Sequence, residues 1–374
     1  MVLKKLVVIS HTGHYYNEKG SVCGWIPTVR ELDFLAQYFE EVVHVAVLHK
    51  QNITIPLGVT PYQAKNIRFV ALPFYGGPGL SGKWSIIRNT PFIIQTTLRE
   101  IKSADFFQFR APTSIGVFLI PILTLFTNKK GWYKYAGNWM QPNKPLSYRI
   151  QKWLLQYFQK RPVTINGKWP RQLKHIYSFE NPCLTEADRE NGVNSVKNKK
   201  INEGGVIACF VGRLETAKGV DRIIKALPVF YKKGVKQIHF VGDGIKRETY
   251  EKATKDSLVD CVFHGFLSRE AIFQVYKESH LNLLPSDTEG FPKVIAEGAN
   301  FGCVPVVSAV SAIPQYVNDE NGYLWDIETC FIEFIETCDF HENKLQHKSR
   351  RAIEIATFFT LEYYWEKLNE NIFN

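Results

Sequence analysis

A chain of 374 residues that is 45% hydrophobic, 14% aromatic and 22% charged excludes a disordered or fibrous polymer and is too long for one ordinary core. Its formal charge of +10 is unevenly spread: residues 1–181 hold 23 Lys+Arg against 8 Asp+Glu (+15), and the remainder 23 against 28 (−5). A basic half beside a mildly acidic one implies an anionic partner, whether a phosphate-bearing substrate, an anionic membrane face or nucleic acid, unless the charge serves solubility alone.

The opening MVLKKLVVIS has an apolar run of only about five residues, which predicts a first buried strand and not a signal peptide. The longest apolar stretch, 115–126, falls short of the ~20 residues of a spanning helix. It predicts a core helix, with shallow membrane contact as the alternative. Seven cysteines without a CxxC pair predict reduced thiols and a cytoplasmic location.

In chain order, a strand is expected at 6–10, a polar, glycine-bearing loop at 11–24 and a helix at 28–39 with Leu32, Leu35, Ala36 and Phe39 on one face. Strands follow at 42–48, 67–72, 106–109, 132–136 and 175–179. Residues 182–204 are polar and poor in large apolar side chains, the texture of a linker. The alternation then restarts: strand 206–211, helix 219–230, strand 237–241, strand 261–264, helix 270–279, strand 281–284, helix 293–301 and strand 304–308. Strands alternating with helices predict parallel sheets covered on both faces. The expected organisation is two doubly wound domains, 1–181 and 205–347, joined by the linker, with a helical tail at 348–374 packing back on the first.

In such sheets ligands bind beyond the carboxyl ends of the strands. Gly212 ends a strand and is followed by Arg213 and Lys218, one forked and one flexible cation suited to a diphosphate or else simply solvated on the surface. The loop from Pro285 carries Ser286, Glu289, Gly290, Phe291 and Pro292, and Glu297 follows in a helix. Two carboxylates so placed suit a sugar ring and a ribose, since each offers about four acceptor positions. Gly242 with Gly244, and Gly265 with Phe266, end two further strands as a possible base pocket or as ordinary tight turns.

The segments GRLETAKGVDRIIKAL, FVGDG, VFHGFLS and the pair Glu289 and Glu297, in that order across about residues 205–330, resemble the C-terminal half of retaining GT-B glycosyltransferases of family four, the group-1 type with many bacterial polysaccharide-building enzymes. Ala217 stands where that family usually has Glu. The resemblance implies an α/β fold of two Rossmann-like domains facing across a cleft. It also implies transfer, with retention, from a nucleotide-diphosphate sugar to a glycan or lipid-pyrophosphate-linked acceptor. By it, Arg213 and Lys218 neutralise the diphosphate and Glu297 holds the ribose. Glu289 with Gly290 and Phe291 holds the sugar, and the backbone at Phe266 and Leu267 faces the base. No metal or other cofactor is expected, and there is no Asp-x-Asp motif.

In the first half, Gly13 is the candidate for approach to the diphosphate or acceptor. His11, His14, Tyr15, Arg110 and Asn138 are candidates for the acceptor side, with a structural role as the alternative for the lone histidines His11 and His14. Gly137-Asn138 occupies the stretch where many relatives carry a histidine. Nucleic acid is not an expected partner, since no RNP, helix-turn-helix or zinc-finger pattern is present. Peripheral contact with the inner membrane face stays open as a location. A nucleotide-sugar epimerase or hydrolase of the same fold, or a catalytically silent binding subunit, stays open as an alternative function.

Overall fold

The structure is a computed structural model that describes residues 3–50, 55–77, 79–142, 144–197, 199 and 205–373. The chain divides into two units, Met1–Phe179 with Trp365–Asn374, and Glu180–Tyr364.

The first unit is built on strands β1 (Leu3–Tyr16), β2 (Val22–Trp25), β3 (Phe39–Leu48), β4 (Val59–Pro61), β5 (Ile67–Leu72), β6 (Phe106–Ala111), β7 (Lys130–Tyr135), β8 (Val163–Asn166) and β9 (Ile176–Phe179). The parallel path runs β5-β3-β1-β6-β7-β8-β9. Val7 of the central strand stands between Val43 and Phe107. All three are fully buried, as a parallel sheet covered on both faces requires. The expected loop 11–24 is largely sheet instead. β1 continues past an irregularity between Ile9 and Gly13 and turns back as an antiparallel hairpin with β2, which β4 extends. The apolar stretch at 115–126 forms the helix Gly116–Leu125, with Leu119, Ile120 and Leu123 in the core. The 24-residue helix Gly79–Lys102 has no counterpart among the expected elements, since Gly82 and Pro91 interrupt its period.

The second unit's sheet is β10 (Val206–Val211), β11 (Val235–Val241), β12 (Asp260–Gly265), β13 (Leu281–Leu284), β14 (Val304–Ser308) and β15 (Tyr323–Trp325). Its order is β12-β11-β10-β13-β14-β15, parallel throughout. The chain winds outward from β10 to β12, crosses back to β13 and winds the other way. The topological switch point therefore lies between β10 and β13.

Two boundaries differ from expectation. Residues 186–197, read as linker, form the helix Glu186–Lys197 in the second unit. It docks through polar bonds: Arg269 pairs with Asp188 at 2.7 Å, and Asn300 Nδ2 donates to the Asp188 carbonyl at 2.8 Å. The rest of the linker reading at 198 and 200–204 falls outside the described residues. Of the tail, the helix Glu342–Ile355 stays with the second unit, and only Trp365–Asn374 joins the first. There Trp365 stacks on Tyr38 with ring centroids 3.8 Å apart, and Phe373 sits edge-on to Phe39, Phe106 and Trp132.

Candidate functional site

The loop after β10 and the loop after β13 meet beyond the switch point. Lys218 Nζ lies 2.5 Å from Glu289 Oε1, with the lysine side chain 26% exposed and the carboxylate 10%. Two main-chain features bring the loops this close. Asp287 N donates to the Ala217 carbonyl at 3.0 Å. Gly219, at φ +83°, lies so near Pro285 that a Cβ would fall 2.0 Å from its carbonyl oxygen. Gly242 (φ +126°) allows an equal approach on the other side, where an added Cβ would fall 2.0 Å from Gly212 O. Leu214 N donates to Asp243 O at 3.0 Å, and Gly242 N to Gly265 O at 2.8 Å. The carboxyl ends of β10, β11, β12 and β13 thus form one continuous rim.

Arg213 is 72% exposed and pairs with Glu215 at 3.2 Å, not with Glu289. Glu297 is half-buried on the helix Lys293–Asn300, which begins just after Pro292, and its charge reaches the buried Tyr276. Gly290 accepts from Ala312 N at 3.3 Å. The Phe291 ring is buried against Tyr316 and Phe359, so its side chain packs the loop. Ser286 is fully buried, and its Oγ has no hydrogen-bond partner among the described residues. Phe266 is 47% exposed at the end of β12 and Leu267 beside it is half-buried. Sequence reasoning missed Arg222. It donates to the Pro285 carbonyl at 3.0 Å and pairs with Asp287 at 2.6 Å, clamping the glutamate loop; its place four residues after Lys218 was the available signal.

In the first unit, His11, Gly13 and Tyr15 line a cavity of ≈ 360 Å³ with Trp25, Pro56 and Val59. Trp25 is half exposed and was missed, because the hairpin that presents it was read as a loop. Tyr15 stacks on His49 at 4.6 Å.

His14 takes the structural alternative and not the acceptor side. It is fully buried and belongs to a hydrogen-bonded chain that accounts for its protons. The Thr12 carbonyl accepts from His14 Nδ1 (3.0 Å), so His14 Nε2 accepts from the Tyr62 hydroxyl (2.7 Å). The Tyr62 oxygen then accepts from His44 Nδ1 (2.6 Å), whose Nε2 accepts from Ser10 Oγ (2.8 Å). Burial holds the His14 imidazole down at about 4, so it is neutral and structural in this conformation. Arg110 is likewise engaged: both of its terminal nitrogens lie 3.3 Å from the buried Glu31 carboxylate, to which Lys134 Nζ donates at 2.7 Å. The Asn138 side chain accepts from Met140 N at 2.9 Å, capping a turn. Among the described residues no group of three or more His, Cys, Asp or Glu side chains is placed to hold a metal ion.

Two parallel-sheet Rossmann-like units, one with cation and carboxylate loops at its switch point, define a GT-B type α/β protein. Residues 194–330 match the family described as Glycosyl transferases group 1, and the second unit therefore carries a domain of that family. An uncharacterized glycosyltransferase of Methanocaldococcus jannaschii is 26% identical over 158 residues, 41% of this chain and 40% of that protein. The matched part is thus less than half of that relative's length. Anabaena HepE, solved with UDP and glucose, has a TM-score of 0.66 at 16% identity, covering 99% of both chains. Sucrose-phosphate synthase from Thermosynechococcus elongatus has a TM-score of 0.70 at 14% identity, covering 98% of both. At these identities the structural likeness carries the fold.

Proposed function

We propose that the protein is a glycosyltransferase that moves a sugar from a nucleoside-diphosphate donor to a hydroxyl of a glycan or lipid-linked saccharide, with retention. The observation that carries this is the Lys218–Glu289 contact across the switch point, inside the group-1 domain. A cation there suits a diphosphate, and a carboxylate there suits sugar hydroxyls. The donor diphosphate would compete with Glu289 for Lys218, freeing the carboxylate for the sugar as the phosphate takes the ammonium. Arg213, exposed on the same loop, would close on the phosphates. That HepE was solved with UDP and glucose supports a nucleotide donor. The cavity beside Trp25 offers an aromatic face to an acceptor ring.

As the anomeric carbon–oxygen bond to the diphosphate breaks, charge builds on the leaving oxygen, where Lys218 and Arg213 stabilise it. That phosphate oxygen then takes the proton of the acceptor hydroxyl as the hydroxyl oxygen attacks the same face. The new glycosidic bond forms as the donor bond is lost, and the proton leaves with the nucleoside diphosphate. With two cations on the diphosphate, activity should survive chelation of divalent metal.

Incubation with a panel of nucleotide sugars tests the reading. A transferase releases nucleoside diphosphate in proportion to acceptor glycosylated. Epimerised nucleotide sugar, or stoichiometric free sugar without acceptor, would replace it with the epimerase or hydrolase reading.

A further inference from the structure

We propose that the outward side of the helix Leu146–Trp153 and its continuation Leu154–Phe158 is a docking surface for an anionic lipid bilayer. This deepens the proposed transfer to a lipid-linked saccharide, on which the purpose of the surface, though not its binding to lipid, rests.

The helix is apolar on both sides. Inward, Leu154 and Leu155 join the sheet's core, and Gln151 locks to Thr113 through bonds of 3.0 and 2.8 Å. Outward, Leu146 (68%), Ile150 (37%), Trp153 (54%) and Tyr157 (65%) are exposed. Their spacing of four, three and four residues puts them in one stripe. Contiguous exposed apolar surface on a folded chain marks an interaction site.

Charge selects the occupant. Residues 106–179 contain 12 Lys+Arg and no Asp or Glu. Arg149 and Lys160 are exposed beside the stripe, and Lys152 is half-buried. Basic residues flanking a Trp, Tyr and Leu stripe are the composition of a helix lying in a membrane interface. A second copy of the chain fits poorly, because a symmetric contact through this stripe would set each basic flank against a like one.

The neighbouring helices continue the feature. The helix Gly116–Leu125 packs against Leu146–Trp153 and ends in exposed Leu125 (65%) and Phe126 (72%). The helix Gly79–Lys102 packs against Gly116–Leu125 in turn. It exposes Leu80, Trp84 and Ile87 beside the exposed Lys83 and Arg88. The crossovers β5 to β6, β6 to β7 and β7 to β8 all advance the same way across the sheet. Right-handed connections therefore place these three helices on one face.

Vesicle sedimentation of the full chain, without nucleotide sugar, tests the surface. The protein should sediment with phosphatidylcholine vesicles carrying about 30% phosphatidylglycerol and stay in solution with phosphatidylcholine alone. Binding should fall as salt rises from about 0.1 to 0.5 M. Arg149→Gln and Lys160→Gln should each weaken partitioning about 5-fold. The triple variant Ile150→Ser, Trp153→Ser, Tyr157→Ser should weaken it at least ~10-fold with far-UV circular dichroism unchanged. Wild-type protein that ignores anionic vesicles, or a triple variant that binds like wild type, would overturn the proposal. So would a wild-type dimer that the triple variant splits into monomers, which assigns the stripe to a second copy. Sedimentation without any nucleotide-induced thermal shift would count against the transferase reading and leave the docking surface standing.

Discussion

Replacing Lys218 by Ala removes the cation that reaches from the β10 loop to Glu289, 2.5 Å away. A charge-assisted hydrogen bond to a phosphate is worth about 1.5–3 kcal/mol, roughly 10- to 150-fold in affinity. The change also leaves Glu289 un-neutralised beside the incoming diphosphate, which pushes the loss toward the upper end. With nucleoside diphosphate at 100 times the wild-type Kd, binding adds about 2.7 kcal/mol of stability. A tenfold weaker site would add about 1.4 kcal/mol and a hundredfold weaker one about 0.4 kcal/mol at the same concentration. For a unit of this size each kcal/mol moves Tm by about 2–4 °C, so a wild-type shift of about 5–10 °C should shrink to about 1–5 °C. The ligand-free variant should lose little, about 1–2 kcal/mol, because the lysine is a quarter exposed and solvent screens the pair. Turnover should fall at least ~100-fold, since the cation also faces charge that develops on the leaving group. Scanning fluorimetry with and without nucleotide, beside a transfer assay, reads both effects. A variant that keeps the full nucleotide-induced shift, or a near-normal rate, would refute the assignment of Lys218 to the diphosphate.

Gly219→Ala puts a Cβ 2.0 Å from the Pro285 carbonyl oxygen in a left-handed conformation, so the two loops must part. Nucleotide affinity should drop at least ~10-fold with a stability loss of about 1–3 kcal/mol, measured by the same thermal shifts. The buried His14 makes stability depend on acid. Its imidazole is held at about 4 in the fold against 6.5 when exposed, so the unfolded chain binds the extra proton first. Its contribution is complete above pH 6.5 and is lost as pH falls toward 4, by roughly 3 kcal/mol in all. Tm measured from pH 7 to 4 should therefore fall less steeply for His14→Gln than for wild type, and parallel curves would count against the buried neutral histidine.

The meeting of these loops was legible because its parts are local. Gly212, Arg213 and Lys218 follow one strand and Glu289 follows another, and a parallel sheet brings such loops to the same edge wherever they lie in sequence. What reasoning along the chain could not see is tertiary. His14 reads as a polar loop residue, yet Tyr62 and Phe69, nearly fifty residues away or more, close over it. The β1–β2 hairpin depends on β4, three residues whose register no local period reveals. The helix Glu186–Lys197 lacks an apolar stripe because it is held by Asp188, Arg269 and Asn300, and Gly192 lets it approach the Asn300 backbone. Arg110, a candidate for the acceptor side, is paired with Glu31 on a helix 79 positions earlier.

The measurement closest to the central claim is a crystal structure of the protein with a nucleoside diphosphate. Phosphate oxygens within hydrogen-bonding distance of Lys218 Nζ and the Arg213 guanidinium, with the ribose hydroxyls at Glu297, are the expected result. A nucleotide bound away from the β10 and β13 loops, with the Lys218–Glu289 pair undisturbed, would contradict it.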